Sequence, residues 1–185
     1  MTAPTPSQTV GPFYGYALPF PGGGDVAPAG HPDTITVHGY VYDGAGQPIP
    51  DSLLEFWQAG PDGSTAGAPG SLRRDPVTGA VLGRNGVDFT GFGRVPTDAD
   101  GHYALRTLPP GTPGYLSVCV FARGLLHHLF TRIYLPESAE DQLLASLEPR
   151  RRATLIARPE RDRVYRFDIR VQGGPEEETV FLDFG

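Results

Sequence analysis

Arg132 stands inside Leu129-Phe130-Thr131-Arg132-Ile133-Tyr134, an otherwise apolar run. A guanidinium in that setting needs a carboxylate, either an internal salt bridge or one brought by a ligand. Tyr115, at the head of another apolar run, offers a phenolate oxygen suited to Fe(III); a packed ring with a hydrogen-bonded hydroxyl would serve the position equally. His127 and His128 are adjacent, so on a strand their rings point to opposite faces and cannot share one ion without a bulge. His31, His38 and His102 have no spacing that forms a metal site, and structural or surface roles are expected for them. Ser7, Ser52, Ser64, Ser71, Ser117, Ser138 and Ser146 sit in no nucleophile elbow. Cys119 lies in an apolar strand and reads as a core thiol. No glycine pattern makes a phosphate-binding loop that opens a helix. The runs Arg150-Arg151-Arg152 and Glu176-Glu177-Glu178 read as solvated edges that discourage strand pairing, able to pair with each other or with a partner.

The elements that must position these groups are mostly strands. At 185 residues the chain is long enough to bury one core. Its 25 Gly and 20 Pro are spread between apolar runs rather than massed, which fits strands joined by turns better than disorder. The net charge of -6 argues against nucleic acid and acidic lipid surfaces as partners. With the single Cys119 there is no internal disulfide, and neither a leader segment nor an apolar run of membrane-spanning length is evident, so a reducing cytoplasmic setting is expected.

Residues 1–33, rich in Gly and Pro, read as an extended arm. Val10, Phe13, Tyr14, Tyr16, Leu18 and Phe20 make it too apolar for a solvated tail, so it should lie against its own body or a partner subunit. Residues 34–185 read as one β domain. Strands are expected over Thr34–Tyr42, Ser52–Gln58, Tyr103–Leu108, Gly114–Ala122, His128–Tyr134, Arg152–Ala157, Val164–Gln172 and Thr179–Phe184. Glu160–Arg163 reads as a hairpin connection, Pro61–Gly91 as a long loop with a weak strand near Ala80–Leu82, and Pro136–Leu147 as the one helix. This pattern points to an all-β sandwich.

The segment Thr97-Asp98-Ala99-Asp100-Gly101-His102-Tyr103-Ala104-Leu105-Arg106-Thr107-Leu108-Pro109-Pro110-Gly111, with Gly39-Tyr40-Val41-Tyr42-Asp43 through Glu55-Phe56-Trp57-Gln58-Ala59, resembles the signatures of the intradiol ring-cleavage dioxygenases. Ser7–Phe13, Val120–Gly124, Thr131–Tyr134, Thr154–Ala157, Tyr165–Ile169 and Val180–Phe184 narrow the resemblance to a two-chain branch, the alpha subunits of protocatechuate 3,4-dioxygenases. The resemblance implies a transthyretin-like β-sandwich and a ferric ion held by two Tyr and two His. Where the family's His-x-His stands, this chain reads Tyr115-Leu116-Ser117, and Gly79–Thr90, where the first Tyr ligand belongs, contains no Tyr. At most one ligand of the set survives, as Tyr115.

What the resemblance implies is therefore a division of labour. No catalytic residue and no metal ligand belongs to this chain. Fe(III) sits in a beta subunit of the same fold, and the alpha chain walls the shared site. By position, Thr9, Gly11, Pro12 and Phe13 of the arm would approach the aromatic diol, with Phe13 where the family usually has Tyr. Arg132 would supply positive potential to a carboxylated substrate. The activity implied is cleavage of protocatechuate by O2 to 3-carboxy-cis,cis-muconate, in a cytoplasmic alpha–beta hetero-oligomer. The alternative is a stand-alone transthyretin-like binding module without catalysis; it leaves the Ser7–Phe13 arm and the Phe121-Ala122-Arg123 block unexplained. A self-sufficient ring-cleaving homomer is opposed by the missing ligands.

Overall fold

The computed structural model describes residues 5–65, 72–84, 86–138 and 141–184. Two sheets face each other across one apolar core. The first is built on β1 (Ile35–Tyr42), whose residues alternate between buried and half-buried, the period-2 pattern of a strand with one face inward. β6 (His102–Thr107) pairs antiparallel along one edge of β1. On the other edge β10 (Val164–Arg166) and β11 (Ile169–Arg170) pair parallel to it, one after the other, and β9 (Arg158–Arg161) pairs with β10 through a tight hairpin. The second sheet is antiparallel throughout, in the order β5 (Phe92–Pro96), β2 (Leu53–Gln58), β7 (Tyr115–Phe121), β8 (Leu129–Tyr134). Val37, Val41, Leu105 and Ile169 of one sheet meet Leu54, Leu116, Val118 and Ile133 of the other, all nearly or wholly excluded from solvent.

The all-β sandwich expected from the sequence is the architecture found, with differences that have local causes. The expected strand Val164–Gln172 is broken at Phe167–Asp168 into β10 and β11. There the Phe167 N–H donates to the His38 carbonyl (2.8 Å), and the Tyr40 N–H donates to the Asp168 carboxylate (3.1 Å), so a side chain completes the ladder where the backbone swings in. Gly39 lies opposite the break because the Phe167 carbonyl comes so close that a Cβ would sit 1.9 Å from it. The Tyr103 hydroxyl donates to that same carbonyl at 2.7 Å.

Arg152–Ala157, expected as a strand, instead begins within α3 (Pro149–Ala153). Proline at the first helical position presets the backbone angle and sacrifices only an orphan N–H. What remains of that strand is a single bridge from Tyr134 to Ile156. The expected helix over Pro136–Leu147 is a 3-10 turn (Pro136–Ser138) and a short α2 (Gln142–Ser146), with residues 139–140 outside the described ones. Thr179–Phe184 forms one bridge, Leu182 to Phe130, rather than a strand. The Pro61–Gly91 loop carries a hairpin of β3 (Leu72–Arg74) and β4 (Val81–Arg84), which realises the weak strand near Ala80–Leu82; residues 66–71, including Ser71, and residue 85 lie outside the description. β5 was not expected, since Gly91 and Gly93 hide its alternation; Gly93 is buried against Leu105 and Val26, where a Cβ would be 2.7 Å from Leu105 Cδ1.

The charge runs do pair with each other. Arg150 bonds Glu176, and Arg151 donates to the Glu178 carbonyl, tying α3 to the C-terminal segment. The arm, expected to be extended, contains one helical turn, α1 (Tyr14–Ala17). Tyr14 and Phe20 bury themselves in this chain's own body, whereas Phe13 (75 % exposed) and Tyr16 (90 %) do not. No helix among the described residues is long and apolar enough to cross a membrane.

Candidate functional site

Strand register brings Tyr115 opposite Tyr134 and Ser117 opposite Arg132 on β7 and β8. Because side chains two apart share a face, all four project from the outer face of the second sheet. The Arg132 guanidinium lies 4.0 Å from the Tyr115 ring centroid, a stacked cation–π contact. Its Nη1 donates to the Tyr134 hydroxyl (3.2 Å) and faces Asp141 Oδ2 at 3.4 Å. Asp141 is also the N-cap of α2, its other oxygen accepting from the Leu143 N–H at 2.6 Å. One carboxylate thus starts the helix and holds the arginine. Around this pair Pro113, Gln142 and Ser146 enclose an open hollow of about 520 Å³.

The electrostatics follow from that packing. Burial opposes the Arg132 charge, but the Tyr134 hydroxyl, Tyr115 and Asp141 outweigh it, and the guanidinium ends above its ordinary pKa. Burial pushes the Tyr134 phenol above its usual value despite the neighbouring Arg132, so at neutral pH Tyr134 is a neutral hydroxyl. Asp141 thus supplies the internal carboxylate that the sequence left as one of two possible partners for Arg132.

The position does not fit the ferric ion that the sequence resemblance implies. Ser117 offers no imidazole, the described part of 79–90 holds no tyrosine, and the face of Tyr115 is covered by a fixed cation. No group of three or more His, Cys, Asp or Glu able to hold a metal occurs among the described residues.

The arm residues Thr9, Gly11, Pro12 and Phe13 lie elsewhere. Ser7 Oγ meets His127 Nε2 at 2.9 Å, and Gln8 and Val10 close a hollow of about 220 Å³ over the β7–β8 connection. Thr9, Pro12 and Phe13 are exposed and Gly11 half-buried. The hollow at Arg132 and the hollow under the arm share no lining residue, so within this chain the expected substrate-facing residues form two patches rather than one.

Two features escaped the sequence. His38 Nδ1 meets His102 Nε2 at 3.1 Å across β1 and β6, and His38 Nε2 meets Glu160 at 2.9 Å. The two histidines stand 64 residues apart, and only the register of Tyr40 against His102 shows that they are neighbours. Cys119, expected in the core, instead faces outward on β7 with Tyr115 and Ser117. Desolvation, reinforced by the Glu55 carboxylate, pushes its thiol up to about 12. At pH 8 an alkylating reagent should therefore label Cys119 at least about tenfold more slowly in the folded chain than in urea, since the thiolate is the reactive form. Equal rates would show that the thiol is neither desolvated nor shielded.

A family model described as Dioxygenase matches residues 23–118. The protocatechuate 3,4-dioxygenase alpha chain of Burkholderia cepacia is 37% identical across 97% of this chain and 96% of that protein. The protocatechuate 3,4-dioxygenase beta chain of the same organism is 28% identical over 76% of this chain and 65% of that protein. Among solved structures, the dioxygenase domain of a dioxygenase carbohydrate-binding protein fusion from Streptomyces sp. SirexAA-E superposes with a TM-score of 0.53 at 27% identity, covering 93% of this chain and all of that one. Sequence signatures, two-sheet sandwich and whole-length relatives agree: the chain belongs to the intradiol dioxygenase family of iron-dependent oxidoreductases, on the side of its alpha chains.

Proposed function

We propose that this chain is the alpha subunit of a protocatechuate 3,4-dioxygenase and works only when paired with a beta subunit that holds the ferric ion. The observation that carries this reading is the hollow at Tyr115. In a chain related to alpha chains over nearly its whole length, Tyr115 stands where the resemblance puts the family's first histidine, and its ring is covered by the Arg132 guanidinium that Asp141 holds. The iron supplies the oxygen chemistry from the partner. The overall reaction takes 3,4-dihydroxybenzoate and O2 to 3-carboxy-cis,cis-muconate, with both oxygen atoms retained in the product.

This chain's own residues would bind and orient. Thr9, Gly11, Pro12 and Phe13 would form part of the wall that excludes water beside the bound ring. Arg132 would offer N–H donors toward the carboxylate of the substrate. Because Asp141 already offsets much of its charge, that contribution should be moderate, and it should act on binding rather than on turnover.

Mixing this chain with a beta subunit that retains both Tyr and both His tests the reading: the two should co-elute as one hetero-oligomer. A chain that stays apart from such a partner would leave the binding module as the better account. In the assembled enzyme, Arg132→Ala should raise KM for 3,4-dihydroxybenzoate by roughly threefold to tenfold with kcat and iron content unchanged. Phe13→Tyr, which adds a phenolic hydroxyl beside the ring, should lower KM by a factor of about two or three on the same scale. Iron loss in either variant would assign those residues to the scaffold instead.

A further inference from the structure

The arm is fixed to the body on both sides of its exposed stretch. On one side stands the Ser7–His127 contact at 2.9 Å. On the other, Tyr14 is only 5 % exposed, its hydroxyl buried beside the Asp51 carboxylate and the Arg123 backbone. Arg123 in turn binds Asp51 through its guanidinium. Asp51 adopts a left-handed backbone (φ 61°), and the arm passes so close that a Cβ at Gly15 would lie 3.1 Å from the Asp51 carbonyl. Arg123 and His127 both belong to the short connection between β7 and β8, so one piece of the body holds both ends.

Between these two attachments Gly11 takes a left-handed backbone (φ +82°), a conformation glycine adopts without steric cost. Pro12 and Phe13, which follow it in a turn, are exposed. An unattached apolar segment would have to be ordered each time it met a ligand. A loop tied at both ends has lost most of that freedom already, which favours binding.

We propose that Tyr14, Asp51, Arg123 and His127 form a clasp that positions Thr9–Phe13 for contact with the substrate in the assembled enzyme. The inference rests on the role proposed above for the arm. The four are positioning residues, acting through the segment they hold. Arg123 and His127 stand at the surface, so replacing them leaves the core intact.

The test uses the two-chain enzyme with three changes to this chain: deletion of residues 5–13, the double variant Arg123→Ala/His127→Ala, and Arg123→Lys. The deletion should raise KM for 3,4-dihydroxybenzoate on the order of tenfold or more. The double variant should raise KM by roughly fivefold, keep kcat within about twofold, and leave iron content and assembly unchanged. It should also speed chymotrypsin cleavage after Phe13, a direct readout of arm release. Arg123→Lys, which keeps the charge, should stay near the parent KM. If the deletion raises KM while the double variant changes neither KM nor cleavage, the clasp is wrong and the arm's role stands. If the deletion itself leaves KM unchanged, the role of the arm fails and the clasp with it. Loss of iron or of assembly in the double variant would overturn positioning in favour of a purely structural role.

Discussion

Purified without a partner, the chain should cleave no catechol or dihydroxybenzoate above background and should retain far less than one iron per chain after dialysis against a weak chelator. The reason is local charge as much as missing donors. A unit cation pair 4 Å apart repels by about 4 kcal/mol at an effective dielectric near 20. Arg132 lies 4.0 Å from the ring of Tyr115, where the family's first histidine ligand would stand. Asp141 offsets part of that repulsion but is engaged by the Leu143 N–H and by Arg132 itself. Adding the ligand-bearing beta subunit should raise activity by several orders of magnitude, since the reaction needs the metal. A coloured, active preparation of this chain by itself would refute the division of labour.

Gly39→Ala should be the most damaging single change to the fold. The added Cβ would meet the Phe167 carbonyl oxygen at 1.9 Å and its carbon at 2.5 Å, and both are backbone atoms that no side-chain rotation can move. That carbonyl cannot retreat freely, because the Tyr103 hydroxyl holds it and the Phe167 N–H is bonded to His38. Overpacking against fixed backbone costs about 3 kcal/mol or more. For a chain of this size the melting temperature should fall by roughly 6–12 °C, or the protein should fail to accumulate folded. A midpoint within about a degree of the parent would mean that the β10–β11 break relaxes far more easily than its hydrogen bonds suggest.

The strands that were legible are those whose burial alternates cleanly, such as β1 and β7, since period-2 patterning is a local signal. β5 is hidden because Gly93 interrupts its side-chain pattern and Gly91 stands just before it, although the close approach that Gly93 permits is what packs the strand. α3 overlaps the start of the segment expected as a strand because Pro149, which presets the first helical position, lies outside Arg152–Ala157. At the candidate site, the need of Arg132 for a carboxylate could be read from its apolar neighbours, but not which one. Asp141 reaches it only because α2 folds back over β8, a tertiary event without a local pattern. The His38–His102 contact was invisible for the same reason, as cross-strand register is not written in spacing.

Arg132 stacked on Tyr115 has a consequence for reversibility. With a guanidinium stacked on Tyr115 and anchored to a helix cap, restoring the two histidines that the resemblance implies would not by itself restore a ferric site. A chain carrying His at 115 and 117 would still set a trivalent ion against a fixed cation, and removing that cation would strip Asp141 of its partner at the start of α2. The route back runs through a less stable intermediate with no activity to select. On the division of labour proposed above, dependence on a second gene product would be locked in by one side chain.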